Sequence, residues 1–318
     1  MLFDRVQLLR LRITVKKLSL LIYAHNQRDL IKLLRRKFGW TDLDLPVIGM
    51  GTWKIESRGR DAQPTAIEAL RLGLDLGMNH IDTAEMYGNG QAEQLVAEAV
   101  DGQREQVFLV SKVLPSNGSY EGTLKACERS LKRLKTDFLD LYLLHWPSSQ
   151  HGIEETMRAM EKLVDEGMIR FIGVSNFDVE QLREAQHALM KYRIACNQVL
   201  YHLAYRGIER DLLPYCAENG IAIVGYSPFG HGDFPSSHSR GGRVLAEIAK
   251  RHNRTMRQVA LNFLTRDSNL FTIPKAGNPD HIRDNSGAVG IWKLTDEDIA
   301  AIDRIFPLPP TDKPLEMI

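Results

Sequence analysis

Eight short apolar runs, each leading into a polar or Gly/Pro-marked loop, constrain the fold of this 318-residue chain more than any other feature. The runs lie at residues 47–51, 78–82, 107–112, 138–145, 171–175, 195–201, 221–227 and 270–275. Short apolar runs that alternate with longer amphipathic stretches predict parallel strands joined by right-handed helical crossovers. Eight such runs, spaced about thirty residues apart, favour a closed (β/α)8 barrel, the TIM barrel, over an open sheet.

The stretches between these runs have the helical periodicity that a barrel needs. They lie at residues 66–74, 92–100, 124–134, 153–166, 179–189 and 210–218. Two more amphipathic stretches, at residues 257–265 and 295–305, break the simple alternation and are predicted as two extra helices. Residues 38–46 have the pattern of the end of an N-terminal hairpin that leads into the first run.

The competing architecture is an open doubly wound sheet, which carries a glycine-rich turn after its first strand. The first run here ends in the sequence GMGTW instead. The later segment GNGQAE, at residues 88–93, lacks the third glycine of the dinucleotide-binding motif. The barrel is therefore the preferred prediction.

Charge is distributed unevenly along the chain. Residues 1–37 contain ten Lys or Arg and two acidic residues, whereas the remainder contains 31 basic and 38 acidic residues. A mildly acidic body argues against a nucleic-acid-binding surface on it. Residues 1–30 are interpreted as a basic extension outside the fold, and residues 31–318 as a single barrel domain. Contact between this extension and an anionic membrane is the less favoured interpretation.

The cysteines indicate the compartment. Cys127, Cys196 and Cys216 are widely spaced and include no Cys-x-x-Cys pair, which fits a reducing compartment and buried thiols better than a metal site. The apolar run at residues 18–24 is too short to cross a bilayer. We therefore expect a cytoplasmic protein that needs no metal.

Polar side chains stand at or near the end of nearly every apolar run. They are Asp82, Lys112, His145, Ser175, Asn176, Gln198, Tyr226, Ser227 and Lys275. Catalytic groups of (β/α)8 barrels sit at the carboxyl ends of the strands, whereas buried parallel strands otherwise stay apolar to their ends. A series of chemically capable residues in these positions predicts an active site at that end of the barrel.

The segment IDTAEMYG, residues 81–88, places Asp82 at a strand tip and Tyr87 in the loop that follows. A buried ammonium at Lys112 needs a partner, and the carboxylate of Asp82 on the neighbouring strand is within reach. A lysine held there should favour the ionised phenol of Tyr87 and lower its pKa. His145 would then donate a hydrogen bond to a substrate carbonyl.

An ordered set of short motifs resembles the aldo-keto reductase family. The motifs are IDTAEMYGN, VSKV, LLHWP, VSNF, NQVLYH, YSP and IPK, and the resemblance runs from about Trp40 to Leu308. It implies a reductase in which Tyr87 is the general acid, Lys112 and Asp82 tune it, and His145 orients the carbonyl. Among members of the family, the chain looks most like bacterial reductases of small carbonyl compounds such as methylglyoxal.

The resemblance also implies a nicotinamide cofactor, with NADPH expected over NADH. The implied cofactor-binding residues are Gly51, Thr52, Trp53, Ser175, Asn176, Gln198, Tyr226, Ser227, Phe229, Lys275, Asn278, His281 and Asn285. At the adenosine end, many relatives have serine where this chain has Ala276, and arginine where it has His281. Histidine is only partly charged near neutral pH, so weaker binding of the 2′-phosphate is expected. Arg283 is a candidate substitute for the missing arginine.

The same resemblance places Trp53, Tyr87, His145 and Trp146 around a substrate pocket. The loop after His145 is short, and thirteen residues follow Ile305, where relatives with bulky selective pockets have longer segments. A shallow pocket for small aldehydes and 1,2-dicarbonyls is expected.

Two other functions remain open from the sequence. Some barrels of this family serve as cofactor-bound regulatory modules with vestigial chemistry, and the basic extension is the feature that favours this. The second is a Schiff-base enzyme with Lys112 as its nucleophile, which would work without nicotinamide.

Overall fold

The computed structural model describes residues 33–56, 62–275, 277–310 and 314–318. The predicted extension at residues 1–30 and the substitution at Ala276 lie outside the described residues. The N-terminal hairpin is present: strands β1, Arg35–Lys37, and β2, Asp44–Pro46, pair antiparallel.

Within the described residues, eight parallel strands follow, and they pair in chain order. They are β3 Met50–Gly51, β4 His80–Asp82, β5 Phe108–Val113, β6 Leu139–Leu144, β7 Ile169–Ser175, β8 Ile194–Leu200, β9 Ala222–Tyr226 and β10 Leu270–Thr272. The first and last strands of this sheet also meet. The N–H of Gly49 donates to the carbonyl of Thr272 at 2.8 Å, and the N–H of Thr272 donates to Val47 O at 2.9 Å. The sheet is therefore a closed (β/α)8 barrel, as predicted.

The seam between the first and last barrel strands requires a residue without a side chain. A Cβ on Gly51 would lie 2.6 Å from the carbonyl oxygen of Ile273. Such a contact is closer than a real Cβ tolerates, so glycine lets the two backbones approach. The N–H of Gly51 then donates to Pro274 O at 3.0 Å.

Helices cover the outside of the barrel. Those in the described part of the chain are α1 Gln63–Asp75, α2 Gln91–Ala99, α3 Tyr120–Leu134, α4 Ile153–Asp165, α5 Val179–Ala188, α6 Leu212–Glu218, α7 Arg240–His252, α8 Met256–Leu264, α9 Pro279–Ser286 and α10 Asp296–Ile305. None of these helices is long and apolar enough to span a bilayer. Each predicted amphipathic stretch corresponds to a helix, with ends that differ by a few residues.

The two extra helices differ in part from those expected. Helix α8 leads directly into β10 and belongs to the regular alternation, whereas α7, which the sequence pattern did not reveal, is additional. Gly241 and Gly242 lie in the first turn of α7 and weaken its helical signal. Helices α7 and α10 are joined by Asp298, which accepts from Arg251 and contacts His252 Nε2 at 2.6 Å.

An aromatic layer closes the amino-terminal end of the barrel. The ring of Phe38, from the hairpin, lies 5.4 Å from Phe108, 5.1 Å from Phe271 and 6.1 Å from His80. All six residues of β5 and all six of β6 are buried, as expected for strands covered on both faces. The carboxyl ends of the strands are left as the face that holds the polar residues.

His80 makes the stability of this barrel sensitive to acid. Its ring is fully buried, neither ring nitrogen has a hydrogen-bond partner among the described residues, and burial followed by the charge of Lys112 lowers its pKa to about 3. The unfolded chain therefore takes up a proton at His80 below pH 6.5 and the folded protein does not, so stability falls as the pH drops from 6.5 towards 3. This one group should lower the free energy of unfolding by about 2 kcal/mol between pH 6.5 and pH 5.

Urea unfolding at pH 7.5 and pH 5 tests this expectation. Between the two pH values, the free energy of unfolding of His80→Leu should fall by about 2 kcal/mol less than that of the wild type, because the titrating group is gone. An equal loss in both proteins would contradict it.

Candidate active site

A buried ion pair forms the base of the site. The Nζ of Lys112, near the end of β5, lies 2.5 Å from Asp82 Oδ1 at the end of β4, and both residues are almost completely buried. Lys112 Nζ also donates to the carbonyl of Thr83 at 2.8 Å. Burial is the largest single influence on the pKa of Lys112 and lowers it, but the charges of Asp82 and Tyr87 and the hydrogen bonds to both together outweigh burial and hold that pKa above its ordinary value. Lys112 is therefore a fixed positive charge.

Tyr87 reaches this charge from the loop after β4. Its Oη lies 3.2 Å from Lys112 Nζ. Directly after it, Gly88, Asn89 and Gly90 all have left-handed backbone, with φ of 57°, 52° and 88°, and this turn redirects the chain into α2. Such a turn favours glycine and asparagine, which explains the sequence GNG as a structural element.

The expected direction of the Tyr87 pKa is wrong. Burial raises the pKa of the Tyr87 hydroxyl, and the charge of Lys112 opposes this without overcoming it. The sequence correctly indicated the lysine but not the depth of the phenol, whose exposed fraction is 9%. The phenol is therefore protonated at neutral pH, as a proton donor must be.

His145 stands directly after β6 and faces Tyr87. The two rings are 5.7 Å apart and nearly perpendicular. Burial and then the charge of Lys112 lower the pKa of His145 well below 6.5, so its imidazole is neutral. Nδ1 is buried with no hydrogen-bond partner among the described residues, which leaves Nε2 as the nitrogen open to the cavity.

Amide and hydroxyl groups at the ends of β7, β8 and β9 form a connected network beside these residues. Tyr226 Oη donates to Asn176 Oδ1 at 2.9 Å, and Asn176 Nδ2 donates to the carbonyl of His145 at 3.1 Å. Ser175 Oγ donates to the carbonyl of Gln198 at 2.9 Å. Gln198 Nε2 donates to Asp82 Oδ2 at 2.7 Å, so Gln198 touches the ion pair as well as the network. Among the residues that the structure describes, no donor contacts its Oε1.

A cavity of about 400 Å³ opens above these groups. It is lined by most of the predicted site residues: Gly51, Thr52, Trp53, Asp82, Tyr87, His145, Trp146, Ser175, Asn176, Gln198, Tyr226, Ser227, Phe229 and Lys275. Lys112 lies beneath its floor, in contact with Asp82 and Tyr87. Among the residues that the structure describes, no group of three or more His, Cys, Asp or Glu side chains could hold a metal ion.

Some residues around this cavity were not predicted. Met86, His231 and Ile318 line it. The ring of His231 lies 5.0 Å from that of Trp53, another residue that lines the cavity. Met86 could have been found from its place beside Tyr87. Nothing in the sequence marks the place of Ile318.

Three predicted residues, Asn278, His281 and Asn285, lie on or next to α9 and do not line the cavity. Asn278 is the N-cap of α9 and accepts the N–H of Asp280 at 2.8 Å. His281 is exposed and Asn285 is buried. Arg283, the candidate substitute for the missing arginine, pairs with Asp280 at 2.9 Å.

The geometry disfavours Lys112 as a nucleophile. Its Nζ is fully buried and contacts the three oxygens of Asp82, Thr83 and Tyr87. Its pKa lies above the ordinary value, whereas a Schiff-base lysine has to be unprotonated.

Comparisons with known proteins identify the family of this chain. Residues 47–306 match the model of the aldo/keto reductase family. The chain is 43% identical over 279 residues to the methylglyoxal reductase YeaE of Escherichia coli, which covers 87% of this chain and 96% of that protein. It is 35% identical over 264 residues to the glyoxal reductase of Bacillus subtilis, covering 83% of this chain and 90% of that one.

A solved structure is also similar. It is that of an aldo/keto reductase from Klebsiella pneumoniae in complex with NADP and acetate, which matches with a TM-score of 0.83 and 39% identity. The match covers 90% of this chain and all of that one. The protein therefore belongs to the aldo/keto reductase family, and it is an oxidoreductase that acts on carbonyl groups with a nicotinamide cofactor.

Proposed function

We propose that this protein reduces small aldehydes and 1,2-dicarbonyls, methylglyoxal among them, to alcohols with NADPH, and that residues 31–318 form its catalytic domain. The observation that carries the proposal is the contact between the protonated hydroxyl of Tyr87 and the fixed charge of Lys112 at the base of the cavity. This is the arrangement that a proton donor to a carbonyl oxygen needs.

Tyr87 is the general acid in this proposal. Burial keeps its hydroxyl protonated until the carbonyl oxygen gains negative charge. When the proton leaves, the phenolate that remains lies 3.2 Å from Lys112 Nζ and is stabilised by that charge. Neutral His145, on the other side of the cavity floor, donates from Nε2 to the same carbonyl oxygen and orients it.

The residues around the cavity fit a nicotinamide cofactor, which supplies the hydride when bound. Ser175, Asn176 and the open Oε1 of Gln198 offer the donors and acceptors that a carboxamide requires, and the ring of Tyr226 offers a face for stacking. Asn176 and Ser227 have left-handed backbone, with φ of 61° and 51°. Strained backbone of this kind clusters at binding sites, which supports their assignment.

In this proposal, the adenosine end of the cofactor binds to Lys275, Asn278, His281 and Asn285. Helix α9 begins at Pro279, and the N-terminus of a helix attracts phosphate through its free N–H groups and its dipole. His281 is exposed on the first turn of this helix. We propose a preference for NADPH over NADH, with weaker binding of the 2′-phosphate than an arginine at this position would give. The NADP complex of the Klebsiella pneumoniae relative supports the choice of cofactor.

The substrate side of the cavity is small and mostly apolar. Trp53, Met86, Trp146 and Ile318 contribute its walls. A nicotinamide ring would take up part of the 400 Å³, which leaves room for a short-chain carbonyl compound. The names of the Escherichia coli and Bacillus subtilis relatives, methylglyoxal reductase and glyoxal reductase, support the same substrate class.

A substrate panel with NADPH and with NADH tests this proposal. We expect kcat/KM for methylglyoxal and glyoxal to exceed that for a steroid ketone, because the proposed substrate pocket is small and suits a short-chain carbonyl compound. We also expect kcat/KM to be higher with NADPH. Preference for the steroid would contradict the substrate class, and equal use of both cofactors would contradict the role of α9.

A further inference from the structure

Glu85 stands between Asp82 and Tyr87 in the sequence and takes no direct part in the proposed proton transfer. Its side chain is buried, with an exposed fraction of 8% for the residue. A buried carboxylate is costly unless donors surround it, so its hydrogen bonds show what it holds in place.

Two of those hydrogen bonds come from the loop after β5. Glu85 Oε1 accepts the backbone N–H of Leu114 at 2.8 Å and the Nδ2 of Asn117 at 2.8 Å. Glu85 Oε2 faces Arg129 at 3.7 Å. The carboxylate therefore joins the loop that carries Tyr87 to the loop that follows Lys112.

The peptide unit between Val113 and Leu114 extends this link to His145. Its N–H donates to Glu85, and its carbonyl, Val113 O, accepts the N–H of His145 at 3.0 Å. One rigid peptide thus connects the segment that carries Tyr87 with the strand end that carries His145. On the other side of Glu85, Lys112 Nζ donates to the carbonyl of Thr83, so the segment is held at two points.

We propose that Glu85 is a positioning residue that fixes the hydroxyl of Tyr87 relative to the imidazole of His145. This inference rests on the proposed function, in which both groups meet one carbonyl oxygen. A displacement of about 1 Å in such a pair can cost about 10²-fold in rate, so a hydrogen bond two residues from Tyr87 has a large effect.

Glu85→Leu and Glu85→Gln test the proposal. Leucine removes the acceptor, and we expect kcat for methylglyoxal to fall by about 30–100-fold. The Kd for NADPH should change by less than about threefold, because no proposed cofactor contact is touched. Glutamine keeps an oxygen for the N–H of Leu114, and it should restore kcat to within about fivefold of the wild type.

Glu93→Leu is the matched control. Glu93, on α2, is another buried carboxylate, and it accepts from Ser111 Oγ in β5 at 2.6 Å and from Arg133 Nε in α3 at 2.5 Å. Within the described residues, its carboxylate forms no hydrogen bond with the loop that carries Tyr87 or with the loop after β5. Glu93→Leu should lower the melting temperature, but its kcat, measured at a temperature where the variant is folded, should stay within about twofold of the wild-type value. A loss of kcat equal to that of Glu85→Leu would overturn the proposal.

A second pair of variants leaves Glu85 itself in place. Leu114 has φ −67°, an angle that proline adopts, so Leu114→Pro deletes the N–H with little backbone strain. Leu114→Ala loses the side chain but keeps the N–H. We expect kcat to fall about tenfold or more in the proline variant relative to the alanine variant. Equal kcat in both would overturn the proposal, even if Glu85→Leu does not fold.

The combination with Tyr87→Phe separates this inference from the proposed function. If Glu85 acts through Tyr87, adding Glu85→Leu to Tyr87→Phe should lower kcat by less than about twofold more. Full additivity of the two losses would overturn the role of Glu85. If Tyr87→Phe keeps the kcat of the wild type, the proposed function is overturned. If Tyr87→Phe has a low kcat but Glu85→Leu keeps that of the wild type, only the positioning role of Glu85 is overturned.

Discussion

Replacing Tyr87 with phenylalanine should lower kcat for methylglyoxal by about 10²–10⁴-fold, the usual contribution of a positioned proton donor. The aromatic ring stays, so its edge-to-face contact with His145 and its burial are retained. The proton is what is lost, because the Tyr87 hydroxyl is the protonated group that lies beside Lys112. Affinity for NADPH should be nearly unchanged.

Steady-state kinetics and a fluorescence titration with NADPH measure the two quantities. Tyr142→Phe is the matched control, since its hydroxyl is fully buried and has no hydrogen-bond partner among the described residues. Removing that hydroxyl should leave kcat within about twofold and should not lower stability, because no hydrogen bond is lost. Unaltered turnover in Tyr87→Phe would remove Tyr87 from the mechanism and would favour the regulatory module with vestigial chemistry.

The second large effect concerns the ion pair of Asp82 and Lys112. Asp82→Leu or Lys112→Met should each abolish measurable turnover and lower the free energy of unfolding by about 3–5 kcal/mol, because each leaves one unpaired charge in the core. The double variant has no charge left there. We expect it to be more stable than either single variant and still inactive.

Urea unfolding of the four proteins gives the coupling energy, and turnover of methylglyoxal gives the activity. A double variant whose loss equals the sum of the two single losses would show that the pair does not act as a unit. Recovery of turnover in the double variant would contradict the role of Lys112 as the charge that stabilises the Tyr87 phenolate. NADPH binding by the double variant serves as a check that the barrel is still closed.

The sequence was enough to predict which residues lie together at the carboxyl ends of the strands, because a barrel brings consecutive strand ends side by side. Asp82, Lys112 and His145 are far apart in the chain, but each lies at or next to the carboxyl end of a strand, and neighbouring strands pair in chain order. The period of the apolar runs was therefore enough to bring them together with Tyr87.

Other parts could not be predicted from the pattern. The pKa of Tyr87 depends on how deeply the phenol is buried, which composition does not reveal, and burial reversed the expected direction. Gln198 was expected only to bind the carboxamide of the cofactor. The structure shows that its side chain also donates a hydrogen bond to Asp82, on a distant strand of the barrel. Helix α7 was missed because two glycines weaken its first turn, and Ile318 at the cavity carries no motif.

The seam between β3 and β10 has a consequence for how the protein acquires its site. Lys275 Nζ donates to the carbonyl of Lys54 at 2.8 Å across 221 residues of chain, and both residues line the cavity. Joining segments so distant is slow, because the loop-closure entropy must be overcome before the contacts form. We therefore expect this part of the cavity to be completed late in folding. A dinucleotide that spans the seam would bind the closed barrel alone, and it would hold the first and last strands together against transient opening.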